Sequence, residues 1–131
     1  MLLFQYDTDP VCVLCRCANE NAEHLFTVCP YTYLLLRASP FEIIIGWNDW
    51  QQGNFYHDNL PSFWKELGYL YLTIVIYSVW SERNSRLHGK GSMAVNHLDA
   101  LIKRKFREKL YSSQVFRRKL HDNPDLGKIL Y

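Results

Sequence analysis

The longest regular pattern in the chain is an apolar stretch bounded on both sides by helix-ending residues. Pro61 precedes it and Gly89 and Gly91 follow it, so a helix over residues 62 to 88 is predicted. Its middle, residues 67 to 81, carries no charge and is apolar on nearly every side, so it needs cover from several directions. Because these fifteen residues fall short of the roughly 20 that cross a bilayer, we expect a buried core helix and no membrane contact.

A second long helix is predicted after the two glycines. Apolar residues recur there at steps of three or four, which places them on one face of a helix. Ser92 is the predicted N-cap, because a serine hydroxyl can accept a hydrogen bond from the free amides of the first turn. The apolar positions are Val95, Leu98, Ile102, Phe106 and Leu110.

The residues before the first long helix predict less regular structure. Pro30 suits a first helical turn and Ser39-Pro40 would end it, so we expect a short helix over residues 30 to 38. The three isoleucines at 43 to 45 are compatible with a short strand, but glycines, asparagines and Pro61 surround them. Residues 41 to 61 are therefore predicted to be mostly a loop linker, with aromatic anchors at Trp47, Trp50 and Phe55.

The composition favours one globular domain. In 131 residues, 48% are apolar and 21% are charged, which excludes the low hydrophobicity and high charge of a disordered chain. The charge is divided unevenly: six Lys/Arg against ten Asp/Glu give −4 for residues 1 to 100, and nine against three give +6 for residues 101 to 131. Contact with nucleic acid is expected through the basic part, at Lys103, Arg104, Lys105, Arg107, Lys109, Arg117, Arg118 and Lys119.

All four cysteines of the chain lie within residues 12 to 29, together with one histidine. The spacing Cys12-x2-Cys15-x8-His24-x4-Cys29 supplies three thiolates and an imidazole, which is a complete tetrahedral set. Such a site would be structural, since no coordination position stays open. The soft donor set favours Zn²⁺, and its binding would contribute on the order of 10 kcal/mol to local folding.

Three other interpretations of the cluster remain open at this point. The cysteines and His24 are also compatible with ordinary buried packing, and Cys17 is a possible ligand in place of Cys12 or Cys15. A redox pair at Cys12 and Cys15 would need a preceding strand and a long following helix, which the polar residues 19 to 21 disfavour.

Two motifs resemble a known family. The run from Cys12 through Glu20, His24-Leu25-Phe26 and Cys29 resembles the zinc-binding domain that follows the reverse transcriptase of plant LINE-type, non-LTR retrotransposons. The resemblance implies that Cys12, Cys15, His24 and Cys29 are the ligands. Further on, the segment at 76 to 91 is similar to the Trp-x-x-Arg-Asn box of the same polyproteins, with Trp80, Glu82, Arg83 and Asn84 on its positions.

No catalytic motif stands out, so we expect a protein that is not an enzyme. Polymerase and nuclease sites need carboxylate clusters for two metal ions. The segment most similar to such a cluster is Asp7-Thr-Asp9, which we interpret as a solvated turn. The segment at 88 to 92 lacks the spacing of a phosphate-binding loop and is predicted to connect two helices. The first ten residues do not form a secretory signal, which predicts an intracellular protein of the nucleus or cytoplasm that is not secreted.

The predicted fold is mainly α, with a small zinc-knuckle-like module followed by two long helices and little or no strand. The predicted units are a zinc-binding module at 1 to 40, the linker at 41 to 61, a helical region with a basic C-terminal helix at 62 to 121, and a tail at 122 to 131. The expected function is non-catalytic contact with RNA or single-stranded nucleic acid. The alternatives are a structural or protein-interaction fragment that docks through its apolar helix, and a relic without a function.

Overall fold

A computed structural model describes residues 10 to 122 and residue 124, and in this part the chain is mainly α, as predicted, without a strand. An isolated antiparallel bridge joins Val11 to Asn19. Most of the predicted tail lies outside the described residues, as do Asp7 and Asp9. The elements are a π-helical turn at His24–Val28 and the helices α1 (Pro30–Arg37), α2 (Trp47–Gln51), α3 (Ser62–Leu87), α4 (Val95–Ser112) and α5 (Gln114–Asp122).

The predictions for α1 and α3 are confirmed to within one residue at each end. Pro30 occupies the first turn of α1, where its missing amide hydrogen costs nothing. After α3, Gly89 and Gly91 have φ values of +66° and +97°, a region that residues with a Cβ rarely adopt. The described helices include none with both the length and the apolar character needed to cross a membrane.

The core is formed mainly where α3 packs against α4, and α1 contacts both helices. Tyr71 of α3 and Phe106 of α4 meet edge to face with their ring centroids 5.2 Å apart. Phe41 completes the cluster, 5.9 Å from Tyr71 and 5.8 Å from Phe106. Such aromatic pairs stabilise by about 0.5–1.5 kcal/mol beyond the area they bury. The predicted apolar face of α4 is confirmed, since Leu98, Ile102, Phe106 and Leu110 are all buried and Val95 is half-buried.

The prediction that Ser92 caps α4 is wrong. The helix begins at Val95, after Ala94, and Ser92 is exposed. The reason lies in α3, because the Glu82 carboxylate accepts a hydrogen bond from the Met93 amide at 2.8 Å. Arg86 donates to the Met93 carbonyl, also at 2.8 Å. These side chains of α3 hold Met93 outside the helix, so α4 starts two residues later.

The second long helix is not continuous to residue 121, because it ends at Ser112. Ser113 adopts an extended backbone conformation with ψ of 122°, and α5 starts after it. The break lets α5 fold back on the start of α3, where the rings of Phe116 and Phe63 stack with centroids 6.4 Å apart.

The region at 41 to 61 contains the short helix α2, which the sequence did not indicate, and the isoleucines at 43 to 45 form no strand. The Ile44 amide donates to the Phe55 carbonyl at 2.8 Å, whereas the Ile44 carbonyl accepts from the Trp50 indole. Because the Trp50 side chain occupies the Ile44 carbonyl, which a β-ladder would use, strand pairing between Ile44 and Phe55 does not extend. Of the predicted anchors, Trp50 is buried, and Trp47 and Phe55 are half-buried.

Candidate metal centre and charged surfaces

A tight turn positions the first two cysteines. The Arg16 amide donates to the Cys12 carbonyl at 2.9 Å, and Arg16 itself has φ of +59°, the left-handed conformation. This conformation turns the next amide back, so that the Cys17 amide lies 3.4 Å from the Cys15 sulfur. The turn therefore directs two thiols to one side and supports one of them with a backbone donor.

The π-helical turn positions the other two candidate ligands. The Cys29 amide donates to the His24 carbonyl at 2.6 Å, which closes a turn five residues long. A turn of this size brings residues five apart nearer to one face than an α-helix does. The Asn21 side chain accepts from the His24 amide at 2.8 Å and fixes the start of the turn. The His-x4-Cys spacing is thus matched by the local backbone.

The four predicted ligands come together. Their donor atoms, three Sγ and one imidazole nitrogen, all lie within 4.8 Å of one another. Cys12 Sγ is 3.9 Å from Cys29 Sγ, and Cys15 Sγ is 3.3 Å from His24 Nε2. A tetrahedron with Zn–S bonds of about 2.3 Å has edges of roughly 3.8 Å, so the separations suit one ion. The four donors are thus close enough together to hold one metal ion.

The electrostatics of the two buried thiols favour a cation. The hydrogen bond with Cys29 lowers the pKa of the Cys12 thiol, and the same bond together with burial raises the pKa of the Cys29 thiol. A buried sulfur that carries negative charge attracts a cation, and metal binding would take the proton from Cys29.

Cys17 stands apart from this cluster. It is exposed, and its thiol donates to the Cys15 carbonyl at 3.1 Å. The structure thus favours Cys12 and Cys15 over Cys17 in the ligand set.

A buried ion pair attaches the candidate metal module, residues 12 to 29, to α3. The Glu20 carboxylate accepts two hydrogen bonds from the Arg83 guanidinium, at 3.0 and 2.9 Å. Both side chains are at most 7% exposed. The Arg83 guanidinium also lies over the Trp80 ring, 4.5 Å from its centroid. The module is therefore held by a paired charge and not by apolar contact alone.

Arg86, one turn further along α3, makes a second connection to the module. Its Nη1 lies 3.4 Å from both the Val13 and the Leu14 carbonyl oxygen, inside the Cys-x2-Cys turn. Its Nε donates to Glu82 at 2.7 Å, and its guanidinium lies 5.0 Å from the Tyr31 ring centroid. One arginine thus contacts the Cys-x2-Cys turn, α1 and the connector before α4.

The predicted nucleic-acid-binding residues divide into groups in the structure. Lys103 pairs with Asp99 on its own helix, and Lys119 pairs with Glu66 of α3 at 3.0 Å. Arg104 and Arg107 line one pocket on the outer face of α4. The remaining members lie exposed on α4 and α5, namely Lys105, Lys109, Arg117 and Arg118.

An apolar groove runs along α3. Its volume is about 600 Å³, and no charged side chain lines it. Tyr69 and Tyr77, two of its lining residues, are 43% and 67% exposed. The expectation that α3 needs cover from several directions is thus only partly met. Its aromatic lining residues are Phe26, Trp50, Phe55, Tyr69, Tyr77 and Trp80.

Sequence reasoning did not find the roles of Glu20, Arg83, Arg86 and Met93 as connections between distant segments. The family-like motifs contain Glu20 and Arg83, so the resemblance marked both positions without indicating that they meet. The spacing of His97, Leu101 and Arg104 places them on one face of α4, but it did not indicate the outer pocket, which also needs Met93 from outside the helix.

Comparisons with protein-family models, with curated proteins and with solved structures give no match to this chain. The resemblance to the retrotransposon zinc-binding domain therefore rests on the motifs alone.

Proposed function

We propose that the chain is a non-catalytic zinc-binding module whose basic helices contact RNA or another single-stranded nucleic acid. The observation that carries the proposal is the convergence of Cys12, Cys15, His24 and Cys29 within 4.8 Å. Three sulfurs and an imidazole favour Zn²⁺ over harder cations. Four protein ligands leave no position for a substrate, so the ion would have a structural role.

We also propose that the chain is related to the zinc-binding domain of plant LINE-type retrotransposon reverse transcriptases. The contact between Glu20 and Arg83 supports this relationship, because each residue stands on a position of one of the two family-like motifs. Motifs separated by about 60 residues would then belong to one structural unit.

Native mass spectrometry tests the metal site. The full chain, expressed with zinc in the medium, should carry one zinc ion, and Cys29→Ser should carry none. Cys17→Ser is the matched control and should keep the ion, since Cys17 lies outside the cluster. A zinc-free wild type, or a Cys29→Ser variant that retains its ion, would refute the proposal.

The nucleic-acid part has its own test. Fluorescence anisotropy with a labelled single-stranded RNA should give a dissociation constant that rises steeply with salt, because each neutralised phosphate releases counterions. The proposed RNA contact would be contradicted by an affinity that does not change with salt.

The apolar groove along α3 favours a second candidate function, which is docking of an uncharged apolar protein segment. A lining without charged side chains offers no partner to a polyanion. Replacing Lys103, Arg104, Lys105, Arg107 and Lys109 with glutamine separates the two functions, because it should abolish RNA binding and leave protein docking intact. Tyr77→Ser should weaken protein docking and leave RNA binding intact.

A further inference from the structure

The outer face of α4 carries a pocket that differs in character from the groove along α3. Its volume is about 490 Å³, which is large enough for one nucleotide. Its lining combines an apolar part with a cationic part, and five of its six residues come from one helix. The lining residues are Met93, His97, Ala100, Leu101, Arg104 and Arg107.

The spacing of these residues explains why the pocket faces outward. Residues 97, 100, 101, 104 and 107 recur at steps of three and four, and so share one face of α4. The buried residues of α4 follow a separate row, at 98, 102, 106 and 110. The pocket therefore lies on a surface that the core does not use.

The wall formed by Met93 is held in place before any ligand arrives. Its amide donates to Glu82, and its carbonyl accepts from both Arg86 and Tyr31, each at 2.8 Å. These donors and acceptors belong to α3 and α1, so the connector before α4 is fixed by three hydrogen bonds. A preformed wall lowers the ordering cost of binding.

The two arginines provide the polar recognition. Arg104 is paired only weakly, with Glu108 at 3.7 Å, and both side chains are more than 60% exposed. Exposed pairs of this kind contribute little, so the guanidinium can exchange its partner for a phosphate. Arg104 and Arg107 are three residues apart, which places two planar donors side by side where they suit one phosphodiester.

We infer that this pocket binds one nucleotide of a single-stranded RNA, with the phosphate on Arg104 and Arg107 and the base against Met93 and Leu101. The inference rests on the nucleic-acid binding proposed above and narrows it to a site. A methionine thioether packs favourably against aromatic rings, and every base offers a π-face to Met93. The two arginines favour an anionic ligand, and the apolar lining favours a ligand that also has an apolar part.

The experiment compares two pairs of substitutions in the full chain loaded with zinc. Arg104→Gln with Arg107→Gln removes two charges at the pocket, and Arg117→Gln with Arg118→Gln removes two charges on α5. The first pair should lower the affinity for oligouridylate about tenfold, and the second pair less than threefold. The slope of log affinity against log salt should also fall by about 0.7 for each lost phosphate contact.

A third variant tests the base contact. Met93→Ala keeps the backbone hydrogen bonds and should lower the affinity for oligouridylate about threefold, while the affinity for an abasic oligomer of equal length stays unchanged. Equal losses from both arginine pairs would overturn the pocket and leave the proposed function standing. A wild type that binds no oligouridylate would overturn both, and equal losses for the two oligomers with Met93→Ala would exclude the base contact.

Discussion

Glu20 and Arg83 form a bidentate ion pair across 63 residues of sequence, with N–O distances of 3.0 and 2.9 Å. Glu20 belongs to the loop between the cysteine turn and His24, and Arg83 belongs to the last part of α3. Both side chains are buried, and the two opposite charges neutralise each other there. The pair therefore fixes where the candidate metal centre lies on the helices.

We expect that breaking this pair strongly destabilises the protein. Glu20→Gln should lower the free energy of unfolding by about 3 kcal/mol, because it removes the carboxylate that neutralises the buried Arg83 charge. Arg83→Met should have an effect of similar size. Urea denaturation followed by circular dichroism measures both. The double variant should lose clearly less than the sum of the single losses, and strict additivity would show that the two charges do not interact.

Removal of the proposed zinc ion should lower the stability of the wild type. At a free zinc concentration about 1,000 times the dissociation constant, binding stabilises the folded state by roughly 4 kcal/mol. Addition of a strong chelator should therefore lower the melting temperature in differential scanning fluorimetry. Cys17→Ser should respond like the wild type, and Cys29→Ser should not respond. A chelator response that Cys29→Ser retains would mean that the ion lies elsewhere.

Gly68 of α3 is predicted to resist substitution. An added Cβ would lie 2.6 Å from Cζ of the Tyr56 ring, whose hydroxyl donates to the Gly68 carbonyl at 2.6 Å. Gly→Ala within a helix normally stabilises by about 1 kcal/mol. Here the clash should reverse the sign, and Gly68→Ala should cost about 1–3 kcal/mol in urea denaturation. An increase in stability would show that the ring moves aside freely.

Ionisation of Tyr31 should lower the free energy of unfolding at alkaline pH. Burial, with a smaller contribution from the Glu82 charge, raises its pKa to about 12 in the folded chain, against about 10 when unfolded. The unfolded state then loses the proton first, so this stabilisation is complete below pH 10 and is lost as the pH rises towards 12.

Tyr31→Phe tests the effect of pH. At pH 8 the variant should be about 1 kcal/mol less stable, because it lacks the hydrogen bond to the Met93 carbonyl. The difference from the wild type should shrink between pH 10 and pH 12, which urea denaturation at a series of pH values can measure. A stability difference between Tyr31→Phe and the wild type that does not change with pH would contradict the raised pKa of Tyr31.

The sequence by itself determined α1, α3, the buried face of α4 and the candidate ligands, because their signals are local. Pro61 and the glycines at 89 and 91 bound α3, and the spacing of the apolar residues gave the buried face of α4. The Cys-x2-Cys and His-x4-Cys spacings are each satisfied within a single turn of backbone. Neighbours along the chain were sufficient for these features.

The tertiary structure alone decided which distant residues meet. Glu82 and Arg86 hold Met93 and delay α4 beyond Ser92, and the extended Ser113 lets α5 return to α3. The outer pocket of α4 and the groove along α3 also depend on packing between elements. Hydrogen bonds and ion pairs form between groups that lie close together in space. The pattern of one chain segment does not show which distant residues will be close.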